Sequence, residues 1–122
     1  MPAPERTFTL MVTGGRAFKD APFIAGVLDR LAAEHAPTHF IHGGAVGVDS
    51  IAGEWAERRG LVVRNFPPDH KLYGHKAPLK RNLVMLAQKP DLLVVFPGGS
   101  STAYTKRHAV QQGLNVVLAT SV

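Results

Sequence analysis

Residues 91–109 read DLLVVFPGGSSTAYTKRHA. An apolar run, Leu92 to Phe96, stops at Pro97-Gly98-Gly99, and Ser100, Ser101 and Thr102 then open a helical pattern that ends at Gly113. Valine-rich runs stopped by proline or glycine read as strands. A strand, a glycine turn and a helix in that order describe one half of a parallel βαβ unit. The same grammar recurs along the chain. FTLMV (8–12) stops at Gly14-Gly15, and THFIH (38–42) stops at Gly43-Gly44. LVVRNF (61–66) stops at a proline pair, and NVVLA (115–119) closes the series.

Helical stripes lie between these runs. Ile24, Val27, Leu28 and Leu31 share one face, with Asp20 as the N-cap and Pro22 in the first turn. Val48, Ile51, Ala52 and Trp55 repeat the spacing up to a stop at Gly60, and Trp55 is expected in the core. Leu79, Leu83, Leu86 and Ala87 form a third stripe, which leaves Arg81 off the buried face and over the ligand edge. The fourth helix is expected to start near Thr102. The predicted fold is α/β and Rossmann-like: about five parallel strands with helices on both faces. At 122 residues the chain predicts one domain, 1–122, with residues 1–6 frayed.

Composition excludes several classes. There is no cysteine, hence no disulfide framework and no thiolate metal site. The N-terminus lacks an apolar signal segment, and no apolar run approaches the roughly 18 residues that span a bilayer. A cytoplasmic protein without a membrane partner is expected. The net charge of +5 suggests an anionic partner, and Lys71, Lys76, Lys80 and Arg81 cluster in one stretch. Nucleic acid is disfavoured, because no basic run is interleaved with aromatic residues. His70 and His75 are spaced by five, but no carboxylate–histidine motif accompanies them, so neither a metal nor a cofactor is expected.

In a parallel sheet all strand C-termini share one edge, and ligands bind there where the strand order reverses. The glycine pairs Gly14-Gly15, Gly43-Gly44 and Gly98-Gly99 fall on that edge. They either make tight turns or let backbone approach a ligand. The turn Gly98, Gly99, Ser100, Ser101, Thr102 combines bare backbone, hydroxyls and a helix N-terminus, which suits a phosphate. Thr102 or Ser101 as a simple N-cap is the alternative. Arg16, just after the first turn, has a guanidinium fork suited to phosphate. Asp49 opens the second helix and would face a ribose or a water. Asp69 and His75 flank Tyr73-Gly74, where His75 suits proton transfer and Tyr73 suits stacking on a base. Asn82 stands beside Arg81. His35, His39, His42 and His108 read as surface or strand-end residues. There is no P-loop and no dinucleotide fingerprint.

VTGGRAFKD, HGGAVGVDSIAGEWAERRG, PPDHKLYG, PLKRN and VVFPGGSSTA occur in the order found in the YspA/YpsA-related branch of the SLOG superfamily, which the chain resembles from about Phe8 to Val117. That superfamily includes the LOG phosphoribohydrolases and the DNA-processing protein A family. The resemblance implies a Rossmann-like sheet, a nucleotide-derived ligand beside the PGG turn, and a homo-oligomer. Arg81 matches the arginine that precedes the fourth strand in the phosphoribohydrolases, and Gly98, Gly99 and Thr102 match their P-G-G-x-G-T turn. Ser101 replaces the last glycine of that turn, and Thr105 replaces the glutamate that pairs with the arginine in catalysis. The expected function is therefore binding, for sensing or processing, of a nucleotide-derived phosphorylated ligand. The alternatives are an N-glycosidic nucleotide hydrolase that uses Asp49, Asp69 or His75 with Arg81, and a nucleic-acid module.

Overall fold

The computed structural model describes residues 6–119, so residues 1–5, expected to fray, lie outside the described residues. Among these residues five parallel strands form one sheet: β1 (Thr9–Thr13), β2 (His39–His42), β3 (Val62–Asn65), β4 (Leu92–Val95) and β5 (Val116–Leu118). Their order is β3-β2-β1-β4-β5. The order therefore reverses between β1 and β4, whose last residues, Thr13 and Val95, pair side by side.

Among the described residues five helices connect the strands: α1 (Ala21–His35), α2 (Val48–Arg58), α3 (His70–Tyr73), α4 (Ala77–Ala87) and α5 (Ser100–Gln111). Successive strand residues point to opposite faces. Leu10, Val12, Phe40, Val94 and Phe96 pack with α1 and α2. Met11, Ile41, Leu93 and Val95 pack with Met85 and Leu86 of α4 and Ala109 of α5. Each such fully buried side chain contributes about 1.5–3 kcal/mol. Trp55 is core, as expected, and its Nε1 donates to Asp29 Oδ1 at 2.8 Å, which ties α2 to α1.

Local signals account for most boundaries. Asp20 caps α1 by accepting from the Phe23 amide at 3.1 Å, a contact worth about 1 kcal/mol. The stretch after β3, expected as a loop, contains α3 and a 3-10 turn, Gly74–Lys76. α5 starts at Ser100, two residues before the expected Thr102.

One expectation fails. The buried stripe of α4 is Ala77, Arg81, Asn82, Met85 and Leu86, whereas Leu79 and Leu83 are half-buried and Ala87 is exposed. The reason is polar pairing. Arg81 and Asn82 turn inward because strand-end carbonyls and a threonine hydroxyl satisfy them, and apolar periodicity cannot register such partners.

Candidate functional site

A cavity of about 580 Å³ opens where the strand order reverses. Thr13, Gly14 and Arg16 line it from the end of β1, and Ala45 and Asp49 from the start of α2. His75, Arg81 and Asn82 come from the segment that leads into and through α4, and Gly99, Ser100 and Ser101 from the start of α5.

The glycine pairs are explained first by close approach. Gly15 donates its amide to the Pro97 carbonyl at 2.8 Å, which locks the β1 turn to the β4 turn. A Cβ on Gly15 would lie 3.0 Å from Gly98 Cα. A Cβ on Gly98 would overlap Thr102 Oγ1 and stand 2.7 Å from the Gly15 amide nitrogen. Gly43 lies under the Arg81 guanidinium, whose Nε would be 2.7 Å from an added Cβ. Gly44 combines φ +73° with the Asn65 amide where a Cβ would go.

Arg81 is the best-held residue of the site. Nη1 donates to the Gly43 carbonyl and to the Phe66 carbonyl, the latter at 3.2 Å, and Nε donates to Asn82 Oδ1 at 2.7 Å. Burial lowers its affinity for a proton, as does the like charge of Arg16, while Asp49 opposes both. The guanidinium remains a cation.

Asp49 is only 8% exposed. Burial pushes its carboxyl up from 3.8, against the backbone amides of Ala45 and Gly43 and the charges of Arg81 and His42. The Ala45 amide donates to Oδ2 at 3.3 Å.

His42 was expected to be an ordinary strand-end residue. It does end β2, but it is buried beside this cluster. Burial lowers its pKa from 6.5, opposed by Asp49 and Glu57 and assisted by Arg81. Its Nδ1 accepts from the Gly44 amide at 3.0 Å, which requires an unprotonated Nδ1. A neutral imidazole thus shapes the turn that places Asp49. Its position directly before a glycine pair at a strand end was the available signal.

The helices that open onto the cavity lack side-chain caps. α2 has Gly47 at its N-cap and α5 has Gly99, and neither makes a side-chain cap bond, so Ser101 and Thr102 are not caps. By contrast, α1 and α3 are capped by Asp20 and Asp69. In α2 the Val48 and Ser50 amides already donate to the Gly15 and Ala45 carbonyls, at 3.4 and 3.1 Å, so the first turn of α5 is the one whose N–H groups are ready donors for an anion.

Not every expected residue reaches the cavity. Gly98 and Thr102 border a hollow of about 350 Å³ on the other side of the turn, beside Lys106 and Leu118. Gly15, Gly43 and Gly44 are backbone supports rather than lining. Asp69 accepts from the Leu72 amide at 3.0 Å and, with Tyr73, lines a separate cavity of about 500 Å³ behind Arg81. Among the described residues, no group of three or more His, Asp or Glu side chains could hold a metal ion. No helix among them is long and apolar enough to cross a membrane.

Known proteins resemble this chain in sequence or in fold. Gene 61 protein of Mycobacterium phage D29 is 32% identical over 116 residues, covering 88% of this chain and 93% of that protein. Among solved structures, the structural-genomics target TM1055 matches with a TM-score of 0.67 at 20% identity, covering 90% of this chain and 72% of that one. The molybdenum cofactor carrier protein of Chlamydomonas reinhardtii matches with a TM-score of 0.66 at 21% identity, covering 94% and 79%. At those identities the two structures share the fold alone. A family model matches residues 8–73, and with it the chain belongs to the YspA, cpYpsA-related SLOG family.

Proposed function

We propose that the cavity at the β1/β4 reversal binds a nucleotide or nucleotide-derived phosphorylated ligand. The observation that carries this reading is the convergence on one cavity of the uncapped N-terminus of α5 with Arg16 and Arg81. The phosphate would lie against Gly99, Ser100 and Ser101. Arg16 is exposed, and among the described residues its side chain makes no hydrogen bond or ion pair, so its charge is available to the ligand. Asp49 would accept from ribose hydroxyls. A carrier role is named for one protein of similar fold, and a site that binds without turnover agrees with that. A homo-oligomer and a cytoplasmic location belong to the same reading, the first from family resemblance and the second from the cysteine-free composition.

Hydrolysis of an N-glycosidic bond is the second reading, and one observation favours it. Asp49 is a buried carboxyl of raised pKa that shares the cavity with Arg81, the environment expected of an acid–base group. His75 lines the same cavity, and Asp69 does not.

The test has two parts. Small molecules released by denaturing the purified protein are identified by mass spectrometry. Calorimetry with AMP, other 5′-nucleoside monophosphates and inorganic phosphate then compares wild type with Arg16→Ala. Arg16→Ala should weaken nucleotide binding about ten-fold, in the range of a charge-assisted contact. No binding of any monophosphate by the wild type would refute the reading. Free-base release from a bound monophosphate that disappears in Asp49→Asn would favour the hydrolase.

A further inference from the structure

Thr105 stands one turn into α5 and has no exposed surface. Its hydroxyl has two partners. Asn82 Nδ2 lies at 2.8 Å and the Ser101 carbonyl at 3.0 Å. A carbonyl only accepts, so the threonine donates its one proton to Ser101 and accepts from the Asn82 amide. The asparagine orientation follows. Its Oδ1 faces Arg81 Nε, which donates to it at 2.7 Å. The result is a one-directional chain of donation that runs from the Arg81 guanidinium through Asn82 and Thr105 to Ser101. The cation at its head polarises every bond in it. The chain ends on a residue that lines the cavity.

Arg81 Nε is held by this chain and Nη1 by the carbonyls of Gly43 and Phe66. Among the described residues Nη2 has no hydrogen-bond partner, which leaves it for a ligand, and its direction depends on how the rest of the planar fork is held. We propose that Thr105 is a positioning residue for the ligand site: through Asn82 it orients the Arg81 guanidinium, and through Ser101 it sets the anion-binding start of α5 against that guanidinium. The inference rests on the ligand reading above and deepens it. A glutamate at position 105 could not take this place. A carboxylate accepts only, so it could take the Asn82 amide but could not donate to the Ser101 carbonyl, which would keep only its backbone donor within the helix. The threonine is a different device in the same position, and not a failed acid.

Three variants test it: Thr105→Val removes the hydroxyl at constant shape, Thr105→Ser keeps it, and Thr105→Ala replaces the valine variant if that fails to fold. Two readouts are taken on the folded proteins. One is the affinity for AMP by calorimetry. The other is hydrogen exchange of the Arg81 Nε proton by NMR in the absence of ligand. The expected result is AMP binding weakened on the order of ten-fold in Thr105→Val, the size of coupling seen between directly contacting groups. Faster Nε exchange should accompany it, and Thr105→Ser should restore both. Unchanged AMP affinity in Thr105→Val would overturn the positioning role, even if the melting temperature falls. Unchanged Nε exchange would overturn the route through Asn82. If the wild type binds neither AMP nor any other monophosphate, the ligand reading fails and this role fails with it, while the exchange data still report whether the chain holds Arg81.

Discussion

The Gly15 amide meets the Pro97 carbonyl at 2.8 Å, and that contact joins the two turns at which the strand order reverses. A side chain at Gly15 or Gly98 would push them apart. The first consequence is for Gly98→Ala. Its methyl would overlap Thr102 Oγ1 and crowd the Gly15 nitrogen at 2.7 Å. Backbone has nowhere to retreat, so the variant should lose about 1–3 kcal/mol of stability. A urea or thermal unfolding curve checks this, and an unchanged midpoint would contradict the account of the turn.

Gly43→Ala acts on the site rather than the sheet. The added methyl falls on the Arg81 guanidinium, which must swing away from the Gly43 carbonyl. A flexible side chain yields more easily than backbone, so stability should fall less than in Gly98→Ala. Affinity for a nucleoside monophosphate should drop about ten-fold or more, because a displaced arginine no longer meets the phosphate. Equal affinity in calorimetry would remove Arg81 from the ligand contact.

Asp49→Asn should stabilise the protein at neutral pH. Burial raises the folded pKa of Asp49 above 3.8. Between 3.8 and that raised value the native state holds more protons than the unfolded state, so the carboxyl's contribution falls as pH rises through the window. Asparagine resembles the protonated acid and can still accept from the Ala45 amide. The difference in melting temperature between the variant and wild type should therefore be larger at about pH 7.5 than at about pH 4. At the higher pH His42 is neutral, because burial lowers its pKa from 6.5. A variant less stable than wild type at neutral pH would contradict the claim that burial dominates this carboxyl.

Nucleic acid should bind weakly despite the +5 charge. The cations that reach the cavity sit with the buried Asp49 in a concave site sized for a small molecule. A generic oligonucleotide should show no micromolar binding at physiological salt. Tight binding that falls steeply with added salt would instead indicate many phosphate contacts and would overturn the small-ligand reading.

Strand–turn–helix grammar was local and therefore legible. Short apolar runs, four of them with glycine or proline stops, located all five strands within about two residues, and Asp20 announced the start of α1. Parallel pairing followed from alternation alone, and with it the edge that carries the site. Asp49, Arg81 and the start of α5 fell on that edge, as their positions in the chain required.

Tertiary structure decided what lies beyond a few residues' reach. Apolar spacing placed Leu79 and Leu83 inward, yet α4 buries Arg81 and Asn82, because partners about 15 to 40 residues away satisfy them. Asp69 looked like a site acid, but it caps α3 and lies on the far side of Arg81. His42 was ordinary in sequence, and burial beside Asp49 makes it part of the cluster. Thr105 read as a missing glutamate, and only the partners Asn82 and Ser101 show what its hydroxyl holds. Periodicity reports which residues avoid water, whereas a buried polar group is placed by its partner, and that partner is brought close only by the fold.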